Sequence, residues 1–515
     1  VIHTLAASFS LTVTLCVTAL CANTIRVPAD QPTIQAAIRA AQNGDVVLVS
    51  PGKYVENIDF LGKAITVKSA GGPNVTIIDG GGVYSVVTFT SGETQASVLS
   101  GFTIENGNAL DTPAGEGGGI AVESASPTIK DNIIQGNFGA NAGGGVGIGF
   151  GSPIITGNTI RSNSQTPQID GGGGGGISVR GESTTQIIGN VIENNTWNNV
   201  GAGFGGGIML FGSGSTLIQN NVIQGNVAGS FGAAISMFND VPGTVIVQNL
   251  IVGNSSPGDS GINWSNSPAA LVNNTITDGP SVTGSTPSLV VAEGLSSTVV
   301  IANNLLISTK AAANAFYCVS GAIPDPTNFY NNDVFSSKGA AYGGMCGSQT
   351  GTNGNISKRP IFVSSPDFAL RAGSSGIDAG SNEAPDLPAK DLAGNRRIIN
   401  GNDGPKATID MGAYEFVPVI LTPTSLNLGS QAVHSSTTKA VKLTNAQNKA
   451  LALTSFSVPT GYLVAGCQGE LAAFASCQLA VTFAPQTTGT FRGPLKVTDN
   501  SGNSPQTLNL LGTAH

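Results

Sequence analysis

Charge is scarce in this sequence. Only 10% of its 515 residues are Asp, Glu, Lys or Arg, and they leave a net charge of −8. No run of Lys and Arg occurs, which excludes the clustered cationic groove of a nucleic-acid partner. Histidine is scarcer still: His3, His434 and His515 are all there is. Residues 23–416 contain none, so a histidine base or histidine-based metal centre is excluded there. Aromatic residues amount to 6%, with two tryptophans. Helical periodicity is absent over most of the chain, where apolar and polar residues alternate instead. What fills these gaps is glycine, 71 residues of it, together with Asn, Ser, Thr, Val and Ile. That mixture favours many short strands joined by tight turns. A hydrophobic content of 40% is enough for a core and is not that of a disordered chain.

Residues 1–22, "VIHTLAASFSLTVTLCVTALCA", read as the apolar region and cleavage zone of a secretory signal peptide. A Lys or Arg before the apolar run is missing, and Leu20 is too large for a lipoprotein box around Cys21. The mature chain is then expected to carry no membrane span. Four cysteines remain, in two local pairs. In an exported chain these predict the disulfides Cys318–Cys346 and Cys467–Cys477.

The strongest signal is a repeat. "IKDNIIQGN", "ITGNTIRSN", "IIGNVIENN", "IQNNVIQGN" and "IVQNLIVGN" place an apolar residue three before an Asn, another two after it, and a second Asn five after it. "LVNNTITDG" and "IANNLLIST" keep the first half. The first Asn residues are Asn132, Asn158, Asn190, Asn221, Asn249, Asn274 and Asn304, at steps of 25 to 32 residues. Glycine triplets recur in register at 117–119, 143–145, 174–176 and 205–207. Such self-similarity is the mark of a solenoid. Strand-only units of this length fit coils of a right-handed parallel β-helix stacked about 4.8 Å apart. The triplets are then corners with positive φ, and the aligned Asn side chains form a hydrogen-bonded ladder. Asn137, Asn163, Asn195 and Asn226 are candidates for a second one. Before the repeats, about 32–43 ("PTIQAAIRAAQN") is the one amphipathic helix, placed to plug the solenoid's end.

The stretch "IRVPADQPTIQAAIRAAQNGDVVLVSPGKYVENI" resembles the start of secreted pectate-lyase-like β-helix proteins, and the resemblance continues to about residue 360. Residues 374–416, with "IDAG", "DLAGNRR" and "DMGAYE", resemble the closing module of bacterial surface proteins of the choice-of-anchor Q type. That module, about 360–416, is expected to seal the solenoid's end. From about 417 to 515 the chain alternates as a β-sandwich. "SCQLAVTFAPQTTGTFRGPLKVTDNSGNSPQTLNLLGTA" is similar to the immunoglobulin-like ASPM/SPD-2/Hydin modules known as choice-of-anchor D domains. The expected fold is all-β: a right-handed parallel β-helix over 23–416, then an immunoglobulin-like sandwich.

Chemistry is harder to find. The fold family contains lyases and hydrolases, so an acidic-glycan lyase would need carboxylates for Ca²⁺ and a basic residue to take a proton. Repeat alignment makes Arg161 and Glu193 stacked neighbours on an outer face, with Asp170 and Arg180 as further candidates. A surface ion pair explains Arg161 and Glu193 more simply. Asp403 and Asp410 are weak candidates for calcium, the one cofactor left open, but the nearby Arg396 and Arg397 point to ion pairs instead. Phe211, Phe238 and Trp264 fall at nearly equivalent repeat positions, and exposed aromatics in a row would stack on sugar rings. The reading is a secreted or bacterial cell-surface scaffold, a monomer, that binds extracellular polysaccharide or the cell envelope without cleaving it. A polysaccharide lyase or hydrolase is the first alternative, and an inert spacer the second.

Overall fold

A computed structural model describes residues 22–515 apart from 110–116, 141, 166–172, 198–202, 241, 268, 279–287, 296–297, 311–312, 321–325, 365 and 403. The signal segment, but for Ala22, therefore lies outside the described residues, as do Asp170 and Asp403. Three parallel sheets run along a solenoid. The first has 12 described strands, from Thr24–Val27 to Phe329–Tyr330. The second and third have 11 each, beginning at Gly52–Val55 and Ile58–Asp59 and ending at Asp333–Ser336 and Tyr342–Gly344. A short fourth sheet (Phe138–Gly139, Ser164–Gln165, Thr196–Trp197, Val227–Ala228) lies between the second and third in chain order.

Register explains the repeat. Ile129, Ile155, Ile187, Ile218 and Ile246 pair in succession on the first sheet. Ile134, Ile160, Ile192, Ile223 and Ile251 do so on the second. All ten are fully buried, each worth about 1.5–3 kcal/mol of burial. A one-residue slip would turn every one of them to solvent. The core is therefore a set of stacked β-branched columns.

The corners differ from the expectation. In the triplets 117–119, 143–145 and 174–176 no glycine has positive φ; Gly205, at +74°, does. What these glycines supply is room: a Cβ on Gly175 would lie 2.6 Å from the Gly206 carbonyl oxygen. The left-handed positions instead precede each ladder Asn: Asp131 (+57°), Gly157 (+66°), Gly189, Asn220 (+59°), Gln248, Asn273, Asn303 and Asn331. Gly, Asn and Asp dominate this column because they tolerate that conformation best. The positive-φ corner and the close-packing glycine are two different devices.

The helix spans Ile34–Ala40, capped by Thr33, whose hydroxyl accepts from the Ala36 amide. Glu56 accepts from the Ile34 and Gln35 amides at its start, and Lys63 Nζ donates to the Ile38, Arg39 and Ala41 carbonyls at its end. Each charge complements the helix dipole. Ile34, Ala37 and Ile38 are fully buried against the first coils.

Residues 360–416 run back along the solenoid's flank as a strap over the corner between the first and second sheets. Asn331, Asn303, Asn273 and Gln248, all at left-handed corner positions, donate to the carbonyls of Ala379, Ser381, Asp410 and Lys390 respectively. Beneath the strap, Leu305 and Ile307 pack with Leu370, Ile377, Met411 and Phe416, and Val247, Val272 and Ala302 with Ala384. In the last coils Phe316, Phe329 and Tyr342 make edge and tilted ring contacts, and the Cys318–Cys346 disulfide lies in the same region.

The C-terminal region is an antiparallel sandwich. Its four-stranded sheet runs Val419–Thr422, Thr437–Asn445, Ser476–Phe483, Tyr462–Gly466. The five-stranded sheet runs Ser425–Gln431, Gln506–Ala514, Gly489–Asp499, Leu451–Ser457, Glu470–Leu471. Val441, Leu443, Leu479, Val481, Phe483, Leu495, Val497 and Leu508 fill its core. Cys467 and Cys477 form the second disulfide.

Candidate functional site

The ladder asparagines are saturated by the fold. Asn221 Nδ2 donates to the Ile187 carbonyl (2.8 Å) and Asn249 Oδ1 (3.0 Å). Its Oδ1 accepts from the amide N and Nδ2 of Asn190. The same side-chain links join Asn132 to Asn158, Asn158 to Asn190, Asn249 to Asn274 and Asn274 to Asn304. The file continues through Asn332 and Asn355. A second file links Asn137, Asn163, Asn195, Asn226 and Asn254. Two donor and two acceptor bonds occupy each amide within the files, and at their first members the Oδ1 of Asn132 and of Asn137 accepts from the Phe102 and Gly107 amides, so these groups are committed to the fold. "FYNNDVF" carried the apolar spacing that would have identified Asn332; nothing around Asn355 did.

A third file was not legible in the repeat. Ser213 donates through N and Oγ to Asp240 Oδ1, at 2.8 Å each, and the Asp240 amide donates to Ser267 Oγ at 3.1 Å. Burial pushes the Asp240 carboxyl above its ordinary range. Its residues are Ser and Asp in variable surroundings, so no single letter repeats.

Among the described residues, Arg161, Glu193 and Arg180 do not converge. Arg161 and Glu193 are register neighbours on the second sheet, but they turn away from each other. Arg161 Nε and Nη2 donate to Gln135 Oε1 (3.0 and 2.9 Å), while Glu193 Oε2 accepts from Gln224 Nε2 (2.8 Å). The expected ion pair is not formed, because each long side chain finds an amide on its other side. Arg180 lies on the third sheet, paired with Phe211. Among the described residues no group of three His, Cys, Asp or Glu is placed to hold a metal ion.

Asp410 is likewise committed. Its carboxylate accepts from the Asp378 amide (2.7 Å) and the Phe416 amide (2.6 Å), and it is almost completely buried. Burial, then the Glu415 charge, pushes its pKa well above the usual carboxylate range. Arg397 is buried as well. It reaches Glu415 at 3.4 Å, the Gly412 carbonyl at 2.9 Å and Gln248 Oε1 at 2.8 Å. These acidic residues accept from backbone amides and pin the strap's turns. That is a folding role.

The aromatic row takes a different form from the expected one. Phe211 and Phe238 are paired in register on the outer face of the third sheet. Phe238 pairs onward with Ser265, whereas Trp264 pairs with Met237. Trp264 is therefore one residue out of step and points inward, fully buried. Period-two alternation makes that single step decisive. In its place the structure brings Phe204 and Phe231 to the same face. Phe204 stacks on Phe231 (centroids 5.8 Å, 13°) and meets Phe238 edge-on at 4.9 Å, with Trp197 edge-on behind it at 6.2 Å. Phe211 and Phe231 stay exposed, at 47% and 41%. Neither Phe204 nor Phe231 belongs to a strand's alternating pattern, so sequence spacing did not reveal them.

Comparison with known proteins gives two regions. A family model described as a right handed beta helix region matches residues 119–290 and 175–357. The "Abnormal spindle-like microcephaly-assoc'd, ASPM-SPD-2-Hydin" model matches 418–507. No curated protein matches the chain. Among solved structures the chain is similar to the ASH / PapD-like domain 7 of human CEP192, at 12% identity over 19% of this chain and 85% of that one, with a TM-score of 0.17. It is also similar to a protein of unknown function from Porphyromonas gingivalis W83 (16%; 18% and 46%; 0.17) and to the Vibrio cholerae VesB protease (15%; 19% and 31%; 0.17). The chain covers less than half of each of these last two. The architecture is thus a right-handed β-helix region followed by an ASH-type immunoglobulin-like module.

Proposed function

We propose that this protein is an exported scaffold that binds extended polysaccharide along the outer face of its third sheet and does not cleave it. The observation that carries this reading is the contiguous group of half-exposed and exposed rings, Phe204, Phe211, Phe231 and Phe238, on a β-helix flank. Aromatic faces bury the apolar faces of sugars while ordering few torsions. Arg161 and Glu193, though register neighbours, each bond a glutamine on the far side rather than each other, which supports binding over cleavage. Two disulfides fit an oxidising, extracellular setting, and no described helix is long and apolar enough to cross a membrane. The closing-module motifs and the C-terminal immunoglobulin-like module support display at a cell surface. The sandwich would then be a spacer or attachment unit, and the solenoid would act as a monomer.

The test is co-sedimentation of the full chain with insoluble polysaccharides, with reducing ends and unsaturated products followed in the same tubes. Retention without product is the expected result, and it should be lost when Phe211 and Phe238 are both replaced by Ala. Release of product that disappears in Arg161→Ala would establish the lyase reading instead.

A further inference from the structure

Two exposed rings are bedded on glycines. Phe150 is 64% exposed, yet three atoms of its ring lie within 3.1 Å of where a Cβ on Gly181 would sit, the nearest at 2.7 Å. Phe231 overlies Gly258 in the same manner, with two ring atoms inside the space of a Cβ. A side chain at either glycine would lift the ring off the surface. An exposed phenylalanine ordinarily has rotamer freedom to lose on binding; these two are held against the backbone before any ligand arrives. Gly181 follows Arg180, the register partner of Phe211, and Phe211 in turn pairs with Phe238. The Phe150 ring therefore lies over the coil that precedes Phe211, and Phe211 and Phe238 stand on the next two coils, whose backbones are about 4.8 Å apart. Phe231 and Phe204 widen the row at its far end.

The row is also nearly free of charge. Between Glu123 and Glu293 its register column reads Gly149, Arg180, Phe211, Phe238, Ser265, with Arg180 half-buried. The corner column beside it reads Gly181, Gly212, Asn239, Asn266. A chain of net charge −8 repels a polyanion at long range. Resting on the polysaccharide reading above, we infer that the ligand is a neutral, straight glycan whose sugar rings carry their substituents equatorially, such as a β-1,4-linked glucan or chitin-type chain. Such rings present two flat apolar faces, and the glycan runs along the solenoid axis across the coils that carry the phenylalanines. Phe150 and Phe231 are ligand platforms alongside Phe211 and Phe238. Axial hydroxyls or a helical linkage would break this contact, and uronate carboxylates would meet a carboxylate-rich protein.

Isothermal titration of the full chain against cellohexaose, chitohexaose, maltohexaose and hexagalacturonate tests this. Binding of cellohexaose or chitohexaose at least tenfold tighter than the other two is expected. Phe150→Ala and Phe231→Ala should each weaken it about 3- to 10-fold. Both side chains are exposed, so these variants should fold. Gly258→Ala should weaken binding similarly although it removes no ring. Equal or tighter binding of maltohexaose or hexagalacturonate would overturn the ligand class while leaving polysaccharide binding intact. Unchanged affinity in both Phe variants would overturn the platforms. No binding to any of the four oligosaccharides would remove the polysaccharide reading itself.

Discussion

The coils before and after about residue 245 share one corner and use it differently. In both halves a left-handed residue precedes the ladder Asn. In the earlier coils it is Asp131, Gly157 or Gly189, which only turns the chain, and then Asn220, which accepts from Gln248 Nε2. In the later coils it is Gln248, Asn273, Asn303 or Asn331, whose side chain reaches out and holds the strap. The outer position beside it changes in step. Lys130, Thr156, Ile188 and Gln219 give way along the same register column to Val247, Val272 and Ala302. A solenoid repeat is thus a fixed interior with a free exterior. Where the exterior turns apolar and the corner turns to Asn or Gln, something covers it. The third sheet offers the converse case, an aromatic exterior with Phe211 and Phe231 exposed among the described residues.

The largest effect should come from cutting the strap at its buried charge. Arg397→Ala leaves Glu415 buried without its cation, which costs about 3–5 kcal/mol. Denaturant unfolding should show an early transition confined to the strap, with the earlier coils unfolding as in the wild type. Asn221→Ala touches the device both halves share. It strands the Ile187 carbonyl and the Asn190 amide in the core, for a loss of about 2–4 kcal/mol, and the main unfolding transition itself should move.

The next effect depends on pH. Burial raises the Asp259 carboxyl to about 7 and the Asp333 carboxyl to about 6. Their folded pKa values exceed those of the unfolded chain, so protons favour the folded state. That stabilisation is complete below about pH 4 and is lost as pH rises through 6 and 7. Midpoints of urea unfolding should therefore fall from pH 4 to pH 7.5. Asp259→Asn should flatten that slope and raise the midpoint at pH 7.5, by about 1–4 kcal/mol. The Asp259 carboxylate accepts from the Gly232 amide, a role the Asn carbonyl keeps. The smallest effect sharpens the comparison most. Asn273→Gly keeps the left-handed corner but loses two bonds to the strap, costing about 1–2 kcal/mol. Asp131→Gly, at the same corner in an earlier coil, should change stability by less than about 0.5 kcal/mol.

Repeating letters carried the fold into view. An Asn every 25 to 32 residues sits where a side chain must satisfy the coil above and the coil below, so one residue type suffices and the pattern survives. The course of the strap was not legible because its contacts join residues up to 149 apart in sequence, as between Gln248 and Arg397. No local period records such a contact. Even so, the change from Gln219 to Val247 at one outer position was there to be read. The aromatic site was half legible. Phe211 and Phe238 follow the strand period, but Trp264 comes one residue early, and without register an early residue cannot be told from an outward one. Phe150 and Phe231 gain their placement from glycines on neighbouring coils, a relation that exists only once the coils are stacked.

The most direct test of the account is hydroxyl-radical footprinting of the full chain with and without saturating cellohexaose. Phe150, Phe211 and Phe231 are exposed on the solenoid flank, and Leu463 and Phe474 are exposed on the sandwich. The account predicts that oxidation of the first three falls together on binding while that of the last two is unchanged. Protection confined to the sandwich or the strap, or a ligand that binds and leaves all three rings as reactive as before, would contradict it.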